Sequence, residues 1–203
     1  MLTELSVEQF LAKTASKQPV PGGGSVSALA GALAAALARM VANLTCGRPG
    51  FAAVEGEMEA LKERAGALQT SLVSDVDRDS EAYGRVMDAF RLPKQSPERG
   101  PAIQEALRQA AKVPMEVARK ALEVMQLAGQ ALESGNPNAR TDAAVGLMMA
   151  RTAALGAILN VRINLESIKD EDFVRRMQQE AGTVQAQVLE LERKLLAQDV
   201  FDN

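Results

Sequence analysis

Two stretches of this chain are built almost wholly from residues too small to fill space on their own. From Val26 to Ala38 no charge interrupts "VSALAGALAAALA", where Ala30, Gly31, Ala34 and Ala35 dominate. The same habit returns from Ala143 to Ala157, with Ala144, Gly146, Ala150, Ala153, Ala154 and Gly156. Small side chains let helix backbones come close, and a helix that is apolar all round must be covered on all sides. Both stretches are therefore expected to be central helices. The uncharged run stops at Arg39, short of the roughly 20 residues that cross hydrocarbon, which reads as a buried core helix and gives no reason to expect a membrane partner. Aromatic residues make up only 3% of a chain that is 47% hydrophobic, and Trp is absent. The core must then be Ala, Leu, Val, Met and Ile packed helix against helix.

Apolar residues recur at three and four positions in nearly every window, and alternation of β-branched residues is missing, so the expected fold is an all-α, single-domain bundle spanning 1–203. Six helices are expected. The first opens at Ser6, an N-cap with Gln9 three residues on. The second runs from Ser25 to about Thr45 and stops at Gly47. The third covers about 51–91, and the fourth starts at Ser96-Pro97 and runs to about Ser134, with a kink expected at Pro114. The fifth covers about 139–168 and the sixth about 170–198, and "DVFDN" at the end is expected to fray. Six helices cover two central ones only partly, so a symmetric homodimer is expected to bury the rest.

Charge narrows the functional classes. Lys plus Arg number 23 against 26 Asp plus Glu, a formal net charge of -3, which leaves no basic excess for binding nucleic acid. One cysteine, Cys46, excludes an internal disulfide framework, and the absence of histidine removes the commonest metal ligand. No metal and a cytoplasmic setting are expected. The first residues carry acids where a signal peptide would carry basic residues.

Without histidine, proton transfer falls to carboxylates, Lys, Tyr or water. Asp75, Asp79 and Tyr83 stand four apart on the third helix and form one stripe, which reads either as a site or as a solvated acidic face. Asp142 and Asn160 fall on one stripe of the fifth helix, where Asp142 also suits a first-turn acid complementing the helix dipole. Asn160 and Asn164, four apart, need partners if buried. Arg39 in an apolar helix wants an anion. The run Gly22-Gly23-Gly24-Ser25 after "PVP" lacks the context of a nucleotide loop, but free N–H groups at a helix start can hold an anion, or the glycines simply allow tight docking.

The segments "PVPGGGSVSALAGALAAALARMVANLTCG" at 19–47, "DRDSEAYGRVMDAFRLPK" at 77–94 and "GNPNARTDAAVGLMMARTAALGAILNVRINLESIKD" at 135–170 together resemble the cyclodeaminase/cyclohydrolase family of tetrahydrofolate enzymes, in order and along the whole chain. The resemblance implies an all-helical dimeric enzyme acting on the one-carbon unit carried by N5 and N10 of tetrahydrofolate. Formiminotetrahydrofolate cyclodeaminase is the first expectation, methenyltetrahydrofolate cyclohydrolase the second, and a folate- or protein-binding helical dimer without turnover the third. It further implies Asp79 and Asp142 as acid/base residues and Lys94 as a general acid or an anchor for folate carboxylates. Gly22, Gly23, Gly24, Ser25, Arg39, Tyr83, Asn136, Asn138 and Asn160 become substrate-binding candidates, and no cofactor beyond the tetrahydrofolate substrate is expected.

Overall fold

The computed structural model describes residues 1–196. Six α-helices account for most of them: α1 (Val7–Thr14), α2 (Gly23–Thr45), α3 (Glu55–Arg91), α4 (Arg99–Ser134), α5 (Arg140–Leu165) and α6 (Glu171–Leu196), with short 3-10 turns at Leu2–Glu4, Pro49–Val54 and Pro137–Ala139. Among the described residues there is no strand. The last two positions of the expected sixth helix and the expected fraying of Asp199–Asn203 lie outside the described residues.

α1 begins as its capping residues dictate: Ser6 Oγ accepts from the Gln9 N–H at 3.2 Å and Gln9 Oε1 accepts from the Ser6 N–H at 2.9 Å. α2 ends at Thr45, and Gly47 follows at φ 73°, a conformation glycine adopts without steric cost. α3 and α4 start later than expected. Residues 49–54 form a 3-10 segment before α3, and the Ser96 hydroxyl accepts from the Glu98 N–H inside a turn instead of capping a helix, so α4 opens at Arg99.

Helices α2, α3, α4 and α5 form the core, with α6 laid across α4 and α5. α2 and α5 run antiparallel, and small residues set their separation. A Cβ on Gly156 would stand 2.5 Å from Ser27 Oγ, and one on Gly146 would stand 3.3 Å from Leu37 Cβ and 3.4 Å from the Ala34 carbonyl oxygen. Gly31 meets Ala153 and Leu72 of α3 in the same way. Larger side chains fill the space between the outer pairs, where Met58, Leu72, Met115, Met125, Leu147 and Ile158 are fully buried. Burying each contributes roughly 1.5–3 kcal/mol. α2 and α5 are not wholly covered: Val26, Leu33 and Leu44 on one and Val145, Leu159 and Ile163 on the other stay exposed.

Pro114 lies buried inside α4. Having no N–H, it leaves the carbonyl of Ala110 without its helical partner. Asn164 of α5 fills that place, its Nδ2 donating to the Ala110 oxygen at 2.8 Å.

Candidate active site

Where the start of α2 meets α3, the Asp79 carboxylate rests on the first turn of α2. A Cβ on Gly24 would lie 2.1 Å from Asp79 Oδ1 and 2.5 Å from its Cγ, and one on Gly23 would lie 3.0 Å from Asn160 Nδ2. Glycine is thus required at position 24 by the carboxyl group beside it, since real Cβ contacts do not come so close. The helix start was expected either to hold an anion or to allow tight docking. Its anion is the protein's own.

Ser25 Oγ lies 2.9 Å from Asp79 Oδ2 and 2.9 Å from the Val76 carbonyl oxygen. One hydroxyl carries one proton and donates to one acceptor at a time. With Asp79 ionised, the two oxygens compete for it. With Asp79 protonated, its O–H donates to Ser25 Oγ while the Ser25 hydroxyl donates to Val76, and each group is satisfied. Burial pushes the Asp79 pKa above the ordinary carboxylate range, and the Ser25 hydroxyl and backbone N–H pull against it without cancelling it.

Asp79 opens onto a cavity of about 210 Å³ between α2, α3, α4 and α5. Tyr83 and Val86 continue the α3 wall, Leu107 and Ala110 form the α4 wall, and Asn160 and Asn164 come from α5, with Gly22–Gly24 closing one end. Asp79 and Tyr83 are its titratable groups. No charged side chain of α2, α4 or α5 lines it. Both asparagine amides are oriented by backbone: Asn160 Nδ2 donates to its own helix at the Gly156 oxygen, 2.9 Å away, and Asn164 Nδ2 to Ala110. Their amides do not satisfy each other. One N–H of each amide is committed in this way, which fixes its orientation and leaves the carboxamide oxygen as an acceptor for a ligand edge.

The structure therefore brings Asp79, Tyr83, Asn160, Gly22, Gly23, Gly24 and Ser25 together. The other sequence candidates stand elsewhere in the chain. Asp142 occupies the first turn of α5, eighteen residues from Asn160 and so about 27 Å along the helix, so Asp79 and Asp142 do not share this cavity within one subunit. Asn136 is buried at the opposite end of α2, where its Nδ2 donates to Leu44 O and its N–H to Thr45 Oγ1, and its Oδ1 accepts from the exposed Asn138. Lys94 is exposed in the turn between α3 and α4, and Arg39 is exposed and packs over Gly66 of α3. Asp75 is not part of a solvated stripe: fully buried, it is ion-paired with Lys120 at 2.6 Å and with Arg78, which also reaches Glu116 at 2.9 Å. Asp77 is also buried and accepts from Thr3 Oγ1 at 2.6 Å and from the Leu2 N–H. Asn164 is the member whose partner the sequence left open, and the signal lay four residues before Pro114. Cys46, Glu55 and Glu59 also cluster, at the far end of α2, but Glu55 accepts from the Gly47 N–H and Glu59 pairs with Lys62.

Residues 6–183 match the family model described as formiminotransferase-cyclodeaminase. A methenyltetrahydrofolate cyclohydrolase of Methylorubrum extorquens is 38% identical over 172 residues, covering 83% of each chain. The mouse formimidoyltransferase-cyclodeaminase is 35% identical over 199 residues, 93% of this chain but 37% of that protein. The crystal structure of a formiminotetrahydrofolate cyclodeaminase from Thermotoga maritima superposes with a TM-score of 0.88 at 32% identity, covering 97% of this chain and 98% of the other.

Proposed function

Because the chain belongs to the formiminotransferase-cyclodeaminase family, acting on tetrahydrofolate one-carbon adducts, we propose that it is a formiminotetrahydrofolate cyclodeaminase. It closes 5-formiminotetrahydrofolate to 5,10-methenyltetrahydrofolate with release of ammonia, and acts as a homodimer. The observation that carries this reading is a single carboxyl, Asp79, held on glycine at the mouth of α2 and facing a cavity lined by two acceptor-presenting asparagines.

One carboxyl is enough for the proton balance. N10, bearing one hydrogen, attacks the protonated formimino carbon on N5 and forms the N10–C bond. Ionised Asp79 takes the N10 proton, then returns it to the NH₂ group as the C–N bond to that group breaks. Three hydrogens leave as ammonia and the positive charge stays on the methenyl bridge. No oxidation state changes, so the step calls for proton transfer and positioning. A carboxyl whose neutral form is favoured by burial, and whose two protonation states are both served by Ser25, is suited to accept a proton and hand it on.

The second reading is methenyltetrahydrofolate cyclohydrolase, favoured by the 38% identity to a stand-alone protein of that name. There Asp79 would deprotonate a water attacking the methenyl carbon. Purified protein supplied with 5-formiminotetrahydrofolate, with ammonia and methenyl absorbance followed together, is expected to release both in equal amounts. Silence on that substrate with turnover of the methenyl compound would reverse the order.

A further inference from the structure

Leu107 forms part of the cavity wall. That residue is also a wall of a second, more open groove of about 540 Å³, lined by Phe90, Arg99, Gln104, Ser167 and Lys169. The same three helices frame both: α3 from Asp79 to Phe90, about 16 Å at 1.5 Å per residue, α4 from Ala110 back to Arg99, and α5 from Asn160 to the connection beyond Leu165. The cavity is nearly neutral, and the groove beyond it holds two cations.

Those cations are placed and unspent. Arg99 Nε donates to the Leu92 carbonyl at 3.1 Å and Nη2 to the Phe90 carbonyl at 3.3 Å, and its guanidinium stands 5.8 Å from the Phe90 ring centroid. The side chain is fixed by the carbonyls at the end of α3, and its remaining N–H donors are uncommitted. The backbone at Lys169 is fixed too: its N–H donates to Gln104 Oε1 at 2.8 Å, while Gln104 Nε2 donates to the Ser167 carbonyl at 3.2 Å. Among the described residues neither Arg99 nor Lys169 pairs with a carboxylate, whereas Arg64, Arg78, Arg91, Arg108 and Arg119 on the same two long helices do and Arg85 does not.

We propose that this groove is the subsite for the anionic glutamate tail of the substrate, with the aminobenzoyl ring passing Leu107 and Phe90 and the tail carboxylates meeting Arg99 and Lys169. This rests on the reading of the substrate as a reduced folate, whose pterin and reacting nitrogens would occupy the neutral cavity. The anchoring role expected of Lys94 passes to these two residues. Planar guanidinium donors suit a carboxylate, and a flexible ammonium beyond it suits a tail of variable length.

The test is equilibrium binding of 5-formyltetrahydrofolate, as the monoglutamate and the triglutamate, beside the tail-less 5-formyltetrahydropteroate. Wild-type protein is expected to prefer the tail-bearing ligands, and the preference to shrink as salt rises. Lys169→Glu and Arg99→Gln are each expected to lower the ratio of tail-bearing to tail-less affinity by about five- to tenfold. Arg99 also holds the end of α3, so the decisive variant is Lys169→Glu, whose side chain makes no structural bond; a ratio unchanged in that folded variant overturns the subsite. The turnover assay on the same preparations separates the two readings. Tail-dependent binding without turnover keeps the subsite and overturns the proposed reaction. Turnover with an unchanged ratio does the reverse, and no binding of any of the three folates overturns both.

Discussion

Asp79 is held by two opposing effects, and each can be removed separately. Burial favours its neutral form, and Ser25 favours the charged one. Because the folded state raises this pKa, it binds the proton more tightly than the unfolded chain. Stability therefore falls as pH rises from the ordinary carboxylate range through the raised value, and is lower by a constant amount above it. Asp79→Asn removes that dependence. The variant is expected to melt no lower than wild type at neutral pH, with its advantage vanishing toward acid, while kcat drops by at least about 100-fold; calorimetry and turnover across pH check both halves, and survival of rate within a few fold would remove Asp79 from the chemistry. Ser25→Ala acts in the other direction on the same group. Without the hydroxyl the pKa rises further, so the acid limb of kcat/KM, set by the fraction of ionised Asp79, is expected to move to higher pH. At this scale much of the candidate cavity was legible: Asp79 and Tyr83 from their spacing on one helix face, Asn160 as a polar group on a crowded stripe, and Gly24 from the strangeness of three glycines before a helix. Asp142, Lys94, Asn136, Asn138 and Arg39 were not separable from them. Spacing tells which face a residue takes, but not which end of an antiparallel pair lies at the site.

The elements owe their positions to where side chains are missing. α2 approaches α3 at Gly24 and α5 at Gly156 because a methyl group at either place would overlap an oxygen, at 2.1 Å and 2.5 Å. Gly24→Ala is expected to expel the Asp79 carboxyl or shift the start of α2, at a cost of about 1–3 kcal/mol in stability and with loss of most activity. Gly84, also on a long helix, meets nothing within 4 Å, so Gly84→Ala is expected to stabilise by about 0.5–1 kcal/mol through helix propensity alone. Urea unfolding of the pair measures both signs, and equal effects would show that propensity, not packing, governs Gly24. Helix number and order were readable from apolar periodicity. Helix starts were less so, because a Ser-Pro pair also makes a turn and "PGFAAV" supports a 3-10 segment as readily as the first turns of α3. The bond from Asn164 to Ala110 needed a tertiary neighbour that no local pattern supplies, although Pro114 marked the carbonyl that would want one.

For the whole molecule the consequence of two small-residue helices is a surface the fold cannot cover alone. α2 and α5 are long and apolar enough to pass for membrane spans by length and composition, as the core helix of a bundle also can, yet only about half of their most apolar stretches is buried. Their outward faces expose Val26, Leu33, Leu159 and Ile163, the last two at 63% and 59%. Beside Val26, the exposed Val7 and Leu11 of α1 line an apolar groove of about 380 Å³ with Leu29 and Val73. Large contiguous apolar surface marks an interface more often than solvent, and an antiparallel helix pair related to its own copy by a two-fold axis buries both faces at once. Leu159 adjoins Asn160, so a subunit seated there would border the mouth of the cavity. Wild-type protein is therefore expected to sediment as a dimer at micromolar concentration. Leu159→Glu, which places a charge in the middle of that face, is expected to sediment as a folded monomer with reduced turnover. A wild-type monomer, or a Leu159→Glu dimer, would mean that the exposed faces of α2 and α5 meet something other than a second copy of the chain.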